Sequence, residues 1–505
     1  MSVPLPERAD VRQLRIQAKE LLSSLHNGDS EALSLAASHD PSLKPSEAKL
    51  ADAQRLLARK HGFPSWPELV EKIETPALLE RMRAMIDAGD ADGLEKLLRE
   101  SKALQSRIND SMFGFDSPPI VRASGHTEAK RLLPILVRYG ADPNVRTDWW
   151  AGGFSSLDSA KGETVDLLLS LGAKWDVWSA SSHGHVEILR ELLDRDPASV
   201  NAPGGDGERP LHFAANSLIA KLLIEKGADL DIRDVDHEST PAQYQIRNSE
   251  VLRLLLNHGA KPDIFMAAVL NDVDLLRKLI AEDPETLKAR VGAPPFVTKE
   301  SEGGHIYTYN LGEGKTPSLV AAESGSRDVL RELERHASPI TILVAEAWAE
   351  DAGVVARILA ENPGLREEIT EEDSRMVATA AQSGRTETVR LLLEAGFDPN
   401  ATGMDSGTAL HVACWFGYLP IVRLLIGRVT LDLPDAHHGS PPLGWACHGA
   451  QWCRNEKGDY PGVARALLEA GAAANAPANS GGTPMLQQAG KREDVKKVLR
   501  EFGAT

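Results

Sequence analysis

The chain is poor in several things that would point to a specific chemistry. Three cysteines occur in 505 residues, none in a CxxC pair, so neither a disulfide framework nor a zinc ribbon is expected. Aromatic residues make up 5% of the chain, so any place where they gather is informative. Basic residues are outnumbered, 56 against 73 acidic, for a formal net charge of -17; a nucleic-acid backbone, which is held by clustered Lys and Arg, is therefore not an expected partner. No apolar run reaches the roughly 18 residues of a membrane span, and no membrane association is expected. The opening MSVPLPERADVRQLR carries charge where a signal peptide has its apolar stretch, which points to a cytoplasmic location. HExxH and GxSxG motifs are missing too.

What the chain has is a recurrent ending. GADPN from Gly140, GAKWD from Gly172, GADLD from Gly227, GAKPD from Gly259, GFDPN from Gly396 and GAAAN from Gly471 each follow an apolar run such as VDLLLSL or VRLLLEA. Each is predicted to be a helix C-terminus with a left-handed glycine. Neighbouring copies recur at about 32 residues, the period of a solenoid of helix pairs.

Residues 1–74 lack this signature and read as a small helical domain. Leu14, Ala18, Leu21, Leu22 and Leu25 recur at helical spacing, Asn27-Gly28 stops that helix, Asp29 restarts a second, and Ser65 caps a last one. Phe63 and Trp66 are expected in its core. From residue 75 to 505 the chain divides into about thirteen helix-pair units, with insertions near 292–315 and 449–461.

The fullest units, DGERPLHFAANSLIAKLLIEKGADLD and SGTALHVACWFGYLPIVRLLI, resemble ankyrin repeats, whose consensus holds TPLHxAAxxGH, VxxLL and GAxxN. That resemblance implies an all-α ankyrin-repeat solenoid and a binding role. The whole chain also resembles bacterial ankyrin proteins that share the helical head, with its LADAQRLLARKHGFPSWPEL string, and two irregular units, GGHIYTYNLGEGKTP and PPLGWACHGAQWCRNEKGDYPGV.

Apparent motifs dissolve into this repeat. GEGKT at Gly312 to Thr316 lacks the first glycine of a P-loop, Tyr309 standing there, and Thr316-Pro317 starts a repeat helix. His212 and His411 occupy the PLH position, and Gly184-His185 the ordinary GH position. Cys414 and Cys447 fall where the consensus has a small alanine, so both are expected to be buried. Cys453 with His437, His438 and His448 has no recognised zinc spacing. No cofactor and no metal is expected.

Candidate function lies with the aromatics. Alignment of the units places Phe213, Tyr244, Trp348, Trp415, Phe416, Trp445 and His448 on the exposed concave face, with Trp149 and Trp150 in a loop beside it. In the first insertion His305, Tyr307 and Tyr309 alternate, as in a hairpin that turns all three to one side. The second adds Trp452, Cys453, Arg454, Asp459 and Tyr460. The leading expectation is a non-enzymatic scaffold that binds a protein or peptide, with a bias toward basic segments, on the aromatics Trp149, Trp150, Phe213, Tyr244, Trp348, Trp415, Phe416, Trp445 and Trp452. The alternative is a small-ligand binder or enzyme, a hydrolase or lyase acting on a glycoside or another ring-bearing molecule. His305, Tyr307, Tyr309, His448, Asp459 and Tyr460 would then supply acid–base chemistry inside one enclosed site.

Overall fold

A computed structural model describes residues 3–6, 9–296, 303–453 and 455–505. Among the described residues there are 31 α-helices. Pairing of the strand type is confined there to two isolated bridges, Phe113 with Ser117 and Thr402 with Thr408. The chain is an all-α repeat solenoid, in two compact units, residues 1–241 and 242–505.

The first unit begins with helices Val11–His26, Ser30–His39, Leu50–Lys60 and Trp66–Ala88. Asp10, Asp29 and Ser65 accept backbone N–H groups at three of their starts, satisfying donors that a helix N-terminus leaves open. Leu14, Ala18, Leu57, Ala58 and Leu69 close one small core, against which Phe63, Trp66 and Ile73 pack. The helix Trp66–Ala88 runs on through residue 74 with Pro76 inside it. Its first half serves that core, whereas Leu78, Leu79 and Met82 belong to the next. The change of core lies where the sequence changes character, but no linker separates the two parts.

One repeat shows the local logic. In the second unit the inner helix Ala409–Phe416 and the outer helix Leu419–Leu425 meet through Leu410, Ala413, Ile421, Val422 and Leu425, all fully buried. His411 Nδ1 accepts the N–H of Thr408 at 3.2 Å. Its Nε2 therefore carries the proton and donates to the carbonyl of Leu433 at 2.9 Å, tying this repeat to the next loop. His212 does the same in the first unit, accepting from Arg209 N–H at 3.0 Å and donating to Ser239 O at 3.1 Å. Cys414 and Cys447 are fully buried, as expected of the small-residue register. A Cβ on Gly449 would stand 2.3 Å from the carbonyl oxygen of Trp415; successive inner helices touch there backbone to backbone.

The recurrent glycines behave as predicted: Gly140 and Gly396, for instance, close their helices at φ of 103°. A partner to this ending was not read from the sequence. Asn144 Nδ2 donates to the carbonyl of Gly172 at 3.0 Å while its Oδ1 accepts the N–H of Lys174 at 2.8 Å. Asn109 clamps Gly140 and Asp142 in this way, Asn201 clamps Gly227 and Asp229, and Asn475 clamps Gly503 and Thr505. One amide thus satisfies a carbonyl and an N–H that the next helix end leaves open.

The repeat that reads as most complete departs from the pattern. Residues 210–213, the PLHF of that unit, form turns rather than an α-helix. Leu222 lies ten residues after His212, whereas Leu424 lies thirteen after His411. The missing three residues are nearly one helical turn, so the inner segment is too short to close its own hydrogen bonds.

Candidate functional site: an aromatic groove under three fingers

In the second unit, three hairpin-like fingers project beside the inner helices Ala409–Phe416, Pro442–Trp452 and Met485–Gln488. They are stitched side by side. His437 N–H donates to Ser406 Oγ at 3.0 Å, and Ser480 N–H donates to the carbonyl of His438 at 2.8 Å. Under them lies a cavity of about 200 Å³, lined by Asp405, Trp415, His438, Trp445, His448 and Gln488 among others.

Asp435 organises this site from beneath. It is buried, and its carboxylate accepts the N–H groups of His437, His438 and Ser440 and the indole Nε1–H of Trp445. Burial pushes its pKa up, but these donors, the His438 N–H first, outweigh burial and hold it below the ordinary carboxylate value. Trp415 is half-buried and meets Trp445 edge to face at 6.3 Å and the His448 ring at 5.3 Å. Lying partly desolvated against Trp415, His448 has a lowered pKa, with His438 adding repulsion.

Two aromatics expected on an exposed face are not there. Trp445 is 5% exposed; its indole is tied to Asp435, and its ring lies where a Cβ on Gly407 would meet it at 2.8 Å. It is a wall of the cavity and no free anchor. Trp348 is 1% exposed, with the Arg385 guanidinium 5.7 Å from its ring centre and donating to its carbonyl. Phe416, half-buried, stacks on Tyr418 at 5.6 Å. Tyr244 is half-buried, and Trp452 is exposed on the lengthened helix.

The residues proposed for acid–base chemistry do not assemble. Tyr307 and Tyr309 stand on a short helix, Ile306–Asn310, that His305 caps, rather than in a hairpin. His305 and Tyr307 are buried, and Tyr307 OH donates to Asp263 Oδ2 at 2.8 Å; burial raises the pKa of both members of this pair. Tyr309 points outward and bonds to the carbonyl of Gly303. Residues 297–302 of that insertion, and Arg454 of the other, lie outside the described residues. Asp459 caps the helix Tyr460–Glu469 through Gly462 N–H. Tyr460 is buried with its hydroxyl on the carbonyl of Trp415, and its pKa is raised chiefly by that burial. Of the six, His448 lines the cavity. In the GEGKT stretch, Lys315 is held by Glu323 and Thr316 caps a helix, as the repeat reading requires.

The first unit has an aromatic cluster of its own. Trp149, half-buried, packs against exposed Phe115 at 5.0 Å and exposed Trp150 at 5.9 Å, and its Nε1–H donates to Asp206 Oδ1 at 2.8 Å. Phe115, Phe154, Arg122, His126 and Asp206 line a wider cavity of about 670 Å³. Phe113 is buried nearby, but Phe115 adopts φ of 58°, a conformation a bulky residue rarely takes. Phe213, half-buried, follows His212 in the shortened repeat. Phe115, Asp405 and Gln488 were missed in the sequence because the first two sit in fingers, outside the helical consensus, and Gln488 ends a helix of four residues; His438 was weighed there only as a zinc ligand.

Comparison with known proteins agrees with this architecture. The family model described as ankyrin repeats (many copies) matches residues 377–426, and that of ankyrin repeats (3 copies) matches 159–234 and 177–266. The chain carries ankyrin repeats. It is similar to the mouse ankyrin repeat and SAM domain-containing protein 6, 34% identical over 122 residues, 23% of this chain and 14% of that protein. It is similar also to ankyrin repeat protein nuc-2 of Neurospora crassa, 22% identical over 274 residues, 52% of this chain and 19% of that one. The E3 ubiquitin-protein ligase KEG of Arabidopsis thaliana is 25% identical over 336 residues, 64% of this chain and 18% of the ligase. The chain thus spans less than a fifth of each of these relatives. No helix among the described residues is long and apolar enough to cross a membrane.

Proposed function

We propose that the second unit captures a basic side chain of a protein partner in the cavity around Trp415, under the fingers that carry Asp405 and His438. The observation that carries this reading is the cavity itself: about 200 Å³, lined by Trp415 and Trp445 together with Asp405. Ligand sites for drug-sized molecules usually measure about 300–1,000 Å³, so this volume suits a single inserted side chain better than a sugar or a ring-bearing substrate. A Lys or Arg head would gain cation–π contact with Trp415 and charge pairing with Asp405, and the net charge of -17 favours its approach. In this reading the helices before residue 75 are a separate head, as in the bacterial proteins the chain resembles, and the protein works in the cytoplasm.

The test is affinity capture from a lysate followed by binding of the recovered partner's basic segment to wild type, Trp415→Ala and Asp405→Asn. Both substitutions are at groove positions and should leave the circular dichroism unchanged while weakening binding at least tenfold. Equal affinity of all three proteins would overturn the proposal.

A further inference from the structure

We propose that Asp206, Asp236 and His237 of the first unit form a binding site for a divalent transition-metal ion, of the zinc class. One ligating atom from each lies within 4.8 Å of those of the others. His237 Nε2 is 3.8 Å from Asp206 Oδ2 and 3.9 Å from Asp236 Oδ2. A tetrahedron with metal–ligand bonds near 2.0 Å has edges of about 3.3 Å, so each carboxylate has about half an ångström to close on His237, and the two carboxylates at most about 1.5 Å to close on one another.

Two neighbouring fingers supply the set, and their backbones are pinned together. The N–H groups of Val235 and Asp236 both donate to the carbonyl of Asp206. Asp206 Oδ1 is already oriented by the Trp149 indole at 2.8 Å, which leaves Oδ2 toward His237, as an outer hydrogen bond orients a metal ligand. Asp236 is 5% exposed; its Oδ2 is the oxygen nearest His237, and the Oδ1 of the same carboxylate accepts no hydrogen bond from any described residue. A buried carboxylate short of donors is disfavoured unless a cation lies beside it. The nearby guanidinium groups are engaged with carbonyls, Arg209 with that of Gly207 and Arg233 with that of Glu238. One imidazole with two carboxylates suits zinc or manganese; calcium and magnesium prefer oxygen donors throughout, and no thiolate is present to select copper(I). The remaining position would be filled by water or by a side chain of a partner.

The experiment is dialysis of the full chain, first stripped with chelator, against zinc, with bound metal counted by mass spectrometry, and a parallel cobalt(II) titration followed in the visible. Wild type should retain one zinc per chain at this site and show the intense absorption of four-coordinate cobalt. Asp236→Asn and His237→Gln should each weaken zinc binding by about a hundredfold or more and abolish the cobalt band. The idea is wrong if wild type gives no cobalt band, a result independent of how either variant folds. It is equally wrong if both variants bind zinc as wild type does, which would place the ion elsewhere, or if magnesium at equal concentration displaces zinc.

Discussion

Trp445 donates its indole N–H to Asp435 at 2.8 Å, and both residues are buried. The bond locks a finger to an inner helix, so one wall of the groove is set by a carboxylate that is itself buried. Asp435→Asn should therefore lower stability by about 2 kcal/mol at pH 7, the scale of a buried hydrogen bond to a charged group. The pKa of Asp435 is depressed in the folded protein, so its contribution is present above the ordinary carboxylate pKa and fades as pH falls through the folded value. Urea midpoints of the two proteins should converge on acidification; a gap unchanged at pH 3 would contradict the assignment.

His212 has the opposite chemistry. Burial drives its pKa down to about 4, so the folded state holds it neutral while the unfolded chain binds a proton below about 6.5. Between those values the unfolded state carries more protons, and stability rises with pH. Its neutral form accounts for about 3 kcal/mol that is fully present above pH 6.5 and lost toward pH 4. Replacing it by Gln should flatten the dependence of the denaturation midpoint on pH in that window, even as it lowers the midpoint at pH 7.

Thiol reactivity gives a rapid check on the packing. Cys414 and Cys447 are buried, with burial raising the first pKa well above its usual value and the second to about 12. Cys453 is half-buried. A neutral maleimide should label one thiol on the native chain and three in denaturant. Rapid native labelling of all three would mean that the inner helices separate readily.

Asn144 makes two hydrogen bonds to the next repeat, at an exposed position. Asn144→Ala should destabilise by about 1 kcal/mol. Asn144→Asp, which keeps the acceptor and loses the donor, should fall between alanine and wild type. If both variants denature with wild type, the clamp contributes nothing.

How much of this was legible in the sequence depends on the range of the interaction that decides each residue. The left-handed glycines, the histidine bridges and the buried cysteines repeat at a fixed register, and a single chain displays them without its fold. Trp445 and Trp348 obey the same register, yet whether a ring at that position meets solvent depends on how a neighbouring finger folds, and for Trp445 that is decided by Asp435. His305, Tyr307 and Tyr309 alternate as a strand would; over five residues the same spacing also fits one helical turn, with Tyr307 inward and Tyr309 outward. Asp206 and His237 were invisible as a pair, because each lies in the tip of a different repeat.

The asparagine clamps carry a consequence for variation. From asparagine to clamped glycine the chain counts 31, 28, 26 and 28 residues, although the bonds made are the same each time. The amide senses where the next helix ends and is indifferent to how much polypeptide lies between. A finger can therefore be lengthened, shortened or exchanged while the helix ends keep their alignment, and the surface offered to a partner can diversify with no revision of the scaffold beneath it.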